Sequence, residues 1–185
     1  MKISIVGLGY VGLPLAIQFA RSNATVVGLD VDGAKVEMIN QGLSYIEHIA
    51  SETIAEVVKV NSLRASTDFS CIKDVEAVII CVPTPLSKNR EPDISFILET
   101  GRMIAPHLSR GTLVTLESTT YPGTTDEDLR AVLEKGSGLQ AGVDFHLAFS
   151  PEREDPGNPS SVVATIPKIV GGLTPACLKK AIDVY

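Results

Sequence analysis

The sequence predicts an α/β domain, a doubly wound and mostly parallel sheet with helices on both faces. Three observations carry that expectation. Short apolar, β-branched runs alternate with segments of helical apolar spacing along the chain. The first run, Lys2 to Val6, leads into a glycine-rich turn, GLGYVG, at residues 7 to 12. The second run, Ala24 to Leu29, ends at an acidic residue, Asp30, 18 residues past the last of those glycines.

G-x-G-x-x-G spacing arises often by chance, so its surroundings decide what it means. Here a buried-type strand precedes it, and Tyr10 to Arg21 follows with Val11, Leu15, Phe19 and Leu13, Ile17, Ala20 at helical spacing. In that setting Gly7 permits the tight turn, Gly9 lets the backbone approach a pyrophosphate, and Gly12 allows close helix-to-sheet contact. The N–H groups near Tyr10 and Val11 and the helix dipole then face the anion. Asp30 stands where a carboxylate accepts from both ribose hydroxyls and repels a 2′-phosphate, which favours NAD over NADP. Its alternative role, capping a helix over Gly33 to Gln41, suits Asp32 better. A bare strand-to-helix turn is the alternative for the whole motif.

The remaining elements follow in order. A helix is predicted over Ser51 to Lys59 with Ser51 as its cap, then a short strand over Leu63 to Ser66. Ala77 to Val82 reads as strand four and Leu113 to Leu116 as strand five, separated by a helix from Ile94 to Leu108 that Asp93 can cap. A helix over Thr125 to Glu134 comes next. Phe145 to Phe149 and Lys168 to Val170 read as strands six and seven, and Thr174-Pro175 opens a last helix with a cap and an N1 proline.

Composition agrees with a single domain over residues 1–185. Of these residues 44% are hydrophobic and mean hydropathy is +0.21, ordinary values for a soluble chain that buries a sizeable core. The 16 basic and 22 acidic residues give a net charge of −6, which lacks the basic footprint of a nucleic-acid binder. No run reaches the ~18 apolar residues of a membrane span, and MKISIVGLG reads as a strand rather than a signal peptide, so a cytoplasmic location is expected. Cys71, Cys81 and Cys177 show neither disulfide nor zinc spacing, and His48, His107 and His146 are scattered, so no metal is expected. Cys81, inside AVIICVP, reads as a core residue.

Ligands of such sheets sit outside the carboxyl ends of the strands, which directs attention to three further segments. VPTPLSKNREPD, residues 82 to 93, is a proline-stiffened loop able to lie against an adenosine. ESTTYPGTT, residues 117 to 125, is a row of hydroxyls beside a Pro-Gly turn; they can hold a nicotinamide amide or orient water, or Thr124 or Thr125 can simply cap a helix. FSPEREDPGNP, residues 149 to 159, carries Glu152, a candidate general base or a solvated carboxylate.

In this order GLGYVGLPLA, the strand ending GLD, CVPTP, ESTTYPGTT and FSPERE resemble the amino-terminal domain of the UDP-glucose/GDP-mannose dehydrogenase family, from Lys2 to about Val170. CVPTPLSKNREPD and FSPEREDPGN are similar to its branch that oxidises UDP-N-acetylhexosamines. The resemblance implies a Rossmann-like fold and a two-step oxidation of a sugar 6-hydroxyl to a carboxylate with two NAD⁺, through a cysteine-bound thiohemiacetal and thioester. It places Gly7, Gly9, Tyr10, Val11 and Gly12 on the pyrophosphate, Asp30 and Lys35 on the adenosine ribose, and Val82, Pro83 and Thr84 on the adenosine side. Ser118 and Thr119 would lie near the nicotinamide, with Thr119 positioning the hydrolytic water and Glu152 assisting. A second glutamate common in the family is replaced here by Pro156, where Glu154 or Asp155 can substitute.

The family's nucleophilic cysteine, catalytic lysine and UDP-sugar pocket match nothing in this sequence. The resemblance therefore implies a truncated, inactive piece that ends in the linking helix at 174–185. The central helix that forms a homodimer and a second domain that binds the UDP-sugar are expected beyond it. Two alternatives share the glycine turn: a β-hydroxyacid dehydrogenase domain and a non-catalytic dinucleotide-sensing module.

Overall fold

A computed structural model describes residues 1–86, 92–152 and 167–185. The apolar runs become β1 (Lys2–Val6), β2 (Thr25–Leu29), β3 (Leu63–Ser66), β4 (Ala77–Ile80), β5 (Leu113–Glu117) and β6 (His146–Ser150), all parallel to their neighbours. A two-residue strand, β7 (Gly171–Gly172), pairs antiparallel with β6, and the sheet order is β3-β2-β1-β4-β5-β6-β7. The segments of helical spacing become α1 (Gly12–Arg21), α2 (Gly33–Asn40), α3 (Ser51–Lys59), α4 (Ser95–Ile104), α5 (Arg130–Ser137) and α6 (Pro175–Val184).

The two-residue period of the strands divides the core between the two faces of the sheet. Ile3 and Ile5 of β1 and Ile79 of β4 cluster with Leu13 and Ile17 of α1, Ile54 of α3 and Ala181 of α6. The residues between them, Val6, Val78 and Ile80, cluster with Ile97 and Ile104 of α4 and Leu133 of α5. Ser4 breaks the apolar run of β1 but is fully buried, and its hydroxyl donates to the Val27 carbonyl at 3.0 Å, as burial of a polar group requires. The chain leaves β1 toward β2 and leaves β4 toward β5, so the order reverses between these two adjacent strands and opens a crevice at their carboxyl ends.

Several local expectations shift. The cap of α3 is Ala50 rather than Ser51, whose hydroxyl instead accepts from the Ser44 N–H at 3.0 Å and ties down the preceding loop. The helix predicted from Ile94 ends at Ile104 and tightens into a 3-10 turn around Pro106; Asp93 does accept from the Ser95 N–H at 2.9 Å. The helix predicted from Thr125 starts as a π turn over Thr124–Leu129, after left-handed Gly123, and becomes α-helical only at Arg130. Strand seven moves from Lys168–Val170 to Gly171–Gly172, because Lys168 turns its ammonium to the buried Glu117 carboxylate and the glycines let α6 lie close. The predicted caps Asp32 and Thr174 are observed, the latter accepting from the Cys177 N–H. Glu154, Asp155 and Pro156 lie outside the described residues, as does the 87–91 part of the proline-rich loop.

At Gly172 a Cβ would sit 2.2 Å from the Leu178 nitrogen, so α6 docks on β7 only in the absence of a side chain there. Gly172→Ala is expected to destabilise the fold by about 2–3 kcal/mol through overpacking. In a thermal melt that is a midpoint roughly 4–12 °C lower.

Candidate functional site

The crevice between β1 and β4 widens into a cavity of about 890 Å³. Its walls come from the segments that follow β1, β2, β4, β5 and β6, places set by backbone topology rather than by sequence proximity. Gly7, Gly9, Tyr10, Val11, Asp30, Lys35, Val82, Pro83, Thr84, Ser118, Thr119 and Glu152 all line it. Gly12 does not. It is buried under α1, where a Cβ would lie 1.8 Å from the Gly7 carbonyl oxygen and 3.2 Å from the Cys81 side chain. Its position is set by the close approach of α1 to β1, as the glycine spacing predicts.

The glycines of the turn differ in their surroundings: Gly7 and Gly12 are closely packed, and Gly9 faces open space. Gly7 has φ +91° and would press a Cβ against the Cys81 carbonyl at 2.9 Å. A Cβ on Gly9 would meet nothing within 4 Å, so no contact within the described residues requires glycine there. Val11 supplies no side-chain cap to α1, and no acidic residue stands in its first turn, so its N-terminal N–H groups and dipole suit an anion.

Asp30 is 8% exposed and its carboxylate holds the turn in place. One oxygen accepts from the Leu8 N–H at 2.9 Å and the other from the Asp32 N–H at 3.0 Å. Each carboxylate oxygen keeps a second acceptor site for a sugar hydroxyl. The Lys35 ammonium lies 4.0 Å from Asp30 and 5.9 Å from the centre of the Tyr45 ring.

Tyr45 is a wall residue that sequence reasoning missed. Its hydroxyl donates to the Leu8 carbonyl in the glycine turn, and with Ile46 it closes one side of the cavity. Burial, then the charges of Asp30 and Asp32, push its phenol above the ordinary range, so it remains a donor. Nothing in the surrounding stretch GLSYIEH marks this role, because the partner carbonyl is 37 residues away.

On the opposite side the hydroxyl row is stitched to the loop after β4. The Ser118 hydroxyl donates to the Val82 carbonyl at 3.1 Å, and the Thr84 hydroxyl donates to the Thr119 carbonyl at 2.5 Å. Ser118 is thus buried and engaged, whereas Thr119 is exposed to the cavity. Beneath them Glu117, 2% exposed, accepts from the Lys168 ammonium and from the Tyr185 hydroxyl at 2.6 Å. Burial raises the Glu117 pKa while Lys168 and Tyr185 pull it back. The sequence marked the hydroxyls of ESTTYPGTT but not this acid.

The cysteine at the cavity is a poor nucleophile. Cys81 lines the cavity, yet burial and then the charges of Glu117 and Glu152 hold its thiol well above the ordinary range. Cys177 is buried and accepts from the Leu147 N–H at 3.4 Å, and Cys71 faces Arg64 at 3.4 Å away from the cavity. Among the described residues no group of three or more His, Cys, Asp or Glu could hold a metal, and no helix is long and apolar enough to cross a membrane.

These contacts separate the glycines experimentally. Gly9→Ala is expected to leave the melting midpoint within about 1–2 °C of wild type, as for a change within ~0.5 kcal/mol. The same change should reduce dinucleotide affinity at least roughly tenfold, because a methyl group takes the pyrophosphate's space. Gly12→Ala should instead lower the midpoint itself. Calorimetric titration beside a thermal melt checks both.

Comparison with known proteins places this geometry. Residues 1–185 match the model of the UDP-glucose/GDP-mannose dehydrogenase family, NAD binding domain. The chain is 36% identical over 185 residues to a UDP-N-acetyl-D-glucosamine 6-dehydrogenase of Pseudomonas aeruginosa, covering 100% of this chain and 43% of that protein. It is 38% identical over 186 residues to a UDP-N-acetyl-D-mannosamine dehydrogenase of Pyrococcus horikoshii, covering 100% and 44%. The crystal structure of a ternary complex of GDP-mannose dehydrogenase from Pseudomonas aeruginosa superposes with a TM-score of 0.91 at 31% identity, over 100% of this chain and 44% of that one. The chain thus spans less than half the length of these relatives. With the whole of its length matched and its cavity lined as the motifs require, the chain belongs to the UDP-glucose/GDP-mannose dehydrogenase family, of which it is the NAD-binding domain.

Proposed function

We propose that this chain is the cofactor half of a nucleotide-sugar 6-dehydrogenase that converts the 6-hydroxyl of a UDP-N-acetylhexosamine to a carboxylate. The observation that carries the reading is the convergence of the five strand-end segments on one cavity, with Gly9 open to it and Asp30 at its edge. The named activities of the relatives at 36% and 38% identity support the substrate class. Membership of this family sets aside the β-hydroxyacid dehydrogenase alternative.

Oxidation of a primary alcohol to a carboxylate removes two hydrides and adds the oxygen of one water, and two NAD⁺ accept the hydrides in turn. The residues of this chain hold and orient. The N–H groups of Gly9, Tyr10 and Val11 bind the pyrophosphate, and Gly7 shapes the turn beneath it. Asp30 accepts from the adenosine ribose hydroxyls, with Lys35 balancing its charge. Val82, Pro83 and Thr84 form the wall that the Ser118 and Thr119 segment grips by hydrogen bonds, which fixes the nicotinamide side. Thr119 orients the water that hydrolyses the thioester, and Glu152, also on the cavity wall, takes its proton. The nucleophilic cysteine belongs to another part of the full enzyme, in keeping with the buried, protonated state of Cys81. The complete protein acts as a homodimer.

Two outcomes are expected. A ligand at ~100 times its Kd adds about 2.7 kcal/mol, so saturating NAD⁺ should raise the melting midpoint by roughly 5–10 °C and NADP⁺ should not. Asp30→Ala should weaken NAD⁺ binding by about 1–3 kcal/mol, the scale of hydrogen bonds to a charged group, and narrow the preference over NADP⁺. The assignment is wrong if NAD⁺ affinity in that variant is unchanged. Incubated with NAD⁺ and UDP-N-acetylglucosamine, the chain alone should generate no NADH absorbance.

A further inference from the structure

The charged residues of the cavity are distributed unevenly. Among the described residues, Asp30, Glu99, Glu117 and Glu152 line it together with one cation, Lys35. Asp30 is balanced by Lys35, and Glu99 is exposed and paired with Arg102 at 3.0 Å. At the other end the arrangement differs. Glu117 closes β5 immediately before Ser118 and Thr119, and in the sheet it stands opposite Ser150, two residues before Glu152. Its counter-ion Lys168 is not among the lining residues. The cavity wall therefore includes the acid of the pair and not its counter-ion. Lys168 and Tyr185 give the Glu117 carboxylate two donors, which fix it in place. A buried, oriented charge of this kind acts on a ligand with little screening.

We propose that Glu117 sets the cavity's preference for the oxidised cofactor. Its carboxylate favours the cationic ring of NAD⁺ over the neutral dihydronicotinamide of NADH. The inference rests on the reading that puts the nicotinamide beside Ser118 and Thr119. It also has a use in that reading: an oxidation that consumes two NAD⁺ in turn needs the first NADH to leave, and a wall that prefers the cation favours the exchange.

The test compares Kd values of NAD⁺, NADH and ADP-ribose, which lacks the ring, by calorimetric titration of the chain at pH 8. Glu117→Gln is expected to lower the ratio Kd(NADH)/Kd(NAD⁺) by about three- to tenfold, the scale of one partly compensated charge at short range. ADP-ribose affinity should stay within about twofold of wild type, given that it offers no charged ring. Because that variant strands Lys168, the charge-neutral pair Glu117→Gln/Lys168→Met should give the same loss if it folds by its melt, and Tyr185→Phe, which keeps the charge, should hold the wild-type ratio. A purely structural role for Glu117 would weaken both forms of the cofactor equally, and an unchanged ratio overturns the inference. Thr119→Val separates this from the underlying reading. If it weakens NAD⁺ but not ADP-ribose while Glu117→Gln leaves the ratio unchanged, only the inference fails. If it affects neither ligand, the nicotinamide lies elsewhere and both fail.

Discussion

The structure depends on one close approach, that of Gly12 to the Gly7 carbonyl. A methyl group there would overlap an oxygen at 1.8 Å, so the sequence tolerates no other residue without moving α1 off the sheet. With α1 seated, its uncapped N-terminus points into the crevice where the strand order reverses, and Gly9 is left facing open space. Helix position, anion site and crevice are consequences of the same backbone contact.

Around that contact the protein ties its loops to one another by side chain to backbone hydrogen bonds. Asp30 reaches the Leu8 N–H from the end of β2, and Tyr45 reaches the Leu8 carbonyl from the segment before α3. Both backbone polar groups of one residue inside the turn are thus held from outside the motif. Ser118 and Thr84 do the same between the loops after β5 and β4. A site assembled from five separate loops stays formed because these bonds satisfy backbone groups that the strand ends leave over.

The electrostatics follow from burial. Glu117 is nearly inaccessible, and a lone carboxylate there would be driven toward its neutral form. Lys168 and Tyr185 supply part of the compensation, and burial, then the charges of Glu117 and Glu152, keep the Cys81 thiol protonated against the pull of Lys168. One acid therefore links the last helix, the edge of the sheet and the cavity floor. Tyr185 also packs its ring against Phe19 of α1, with centroids 5.9 Å apart, so α1 and the end of α6 share the contact.

Most of the architecture was legible because its signals are local. Strand runs, the glycine turn, Asp32 as a cap and Thr174-Pro175 as a helix start are properties of a few adjacent residues, and they appear where the spacing predicts. What misled the reading was also local. Lys168 to Val170 has strand-like composition, but a long-range ion pair and the need for glycine against α6 move the pairing to Gly171–Gly172. The sequence by itself determined the fold class and the family, and it named half of the residues that line the cavity. Only the tertiary structure decided that Tyr45 closes the wall and that Glu117, Lys168 and Tyr185 form one cluster. Those partners lie 37, 51 and 68 residues apart along the chain, and no local pattern encodes a contact made only when the sheet brings them together.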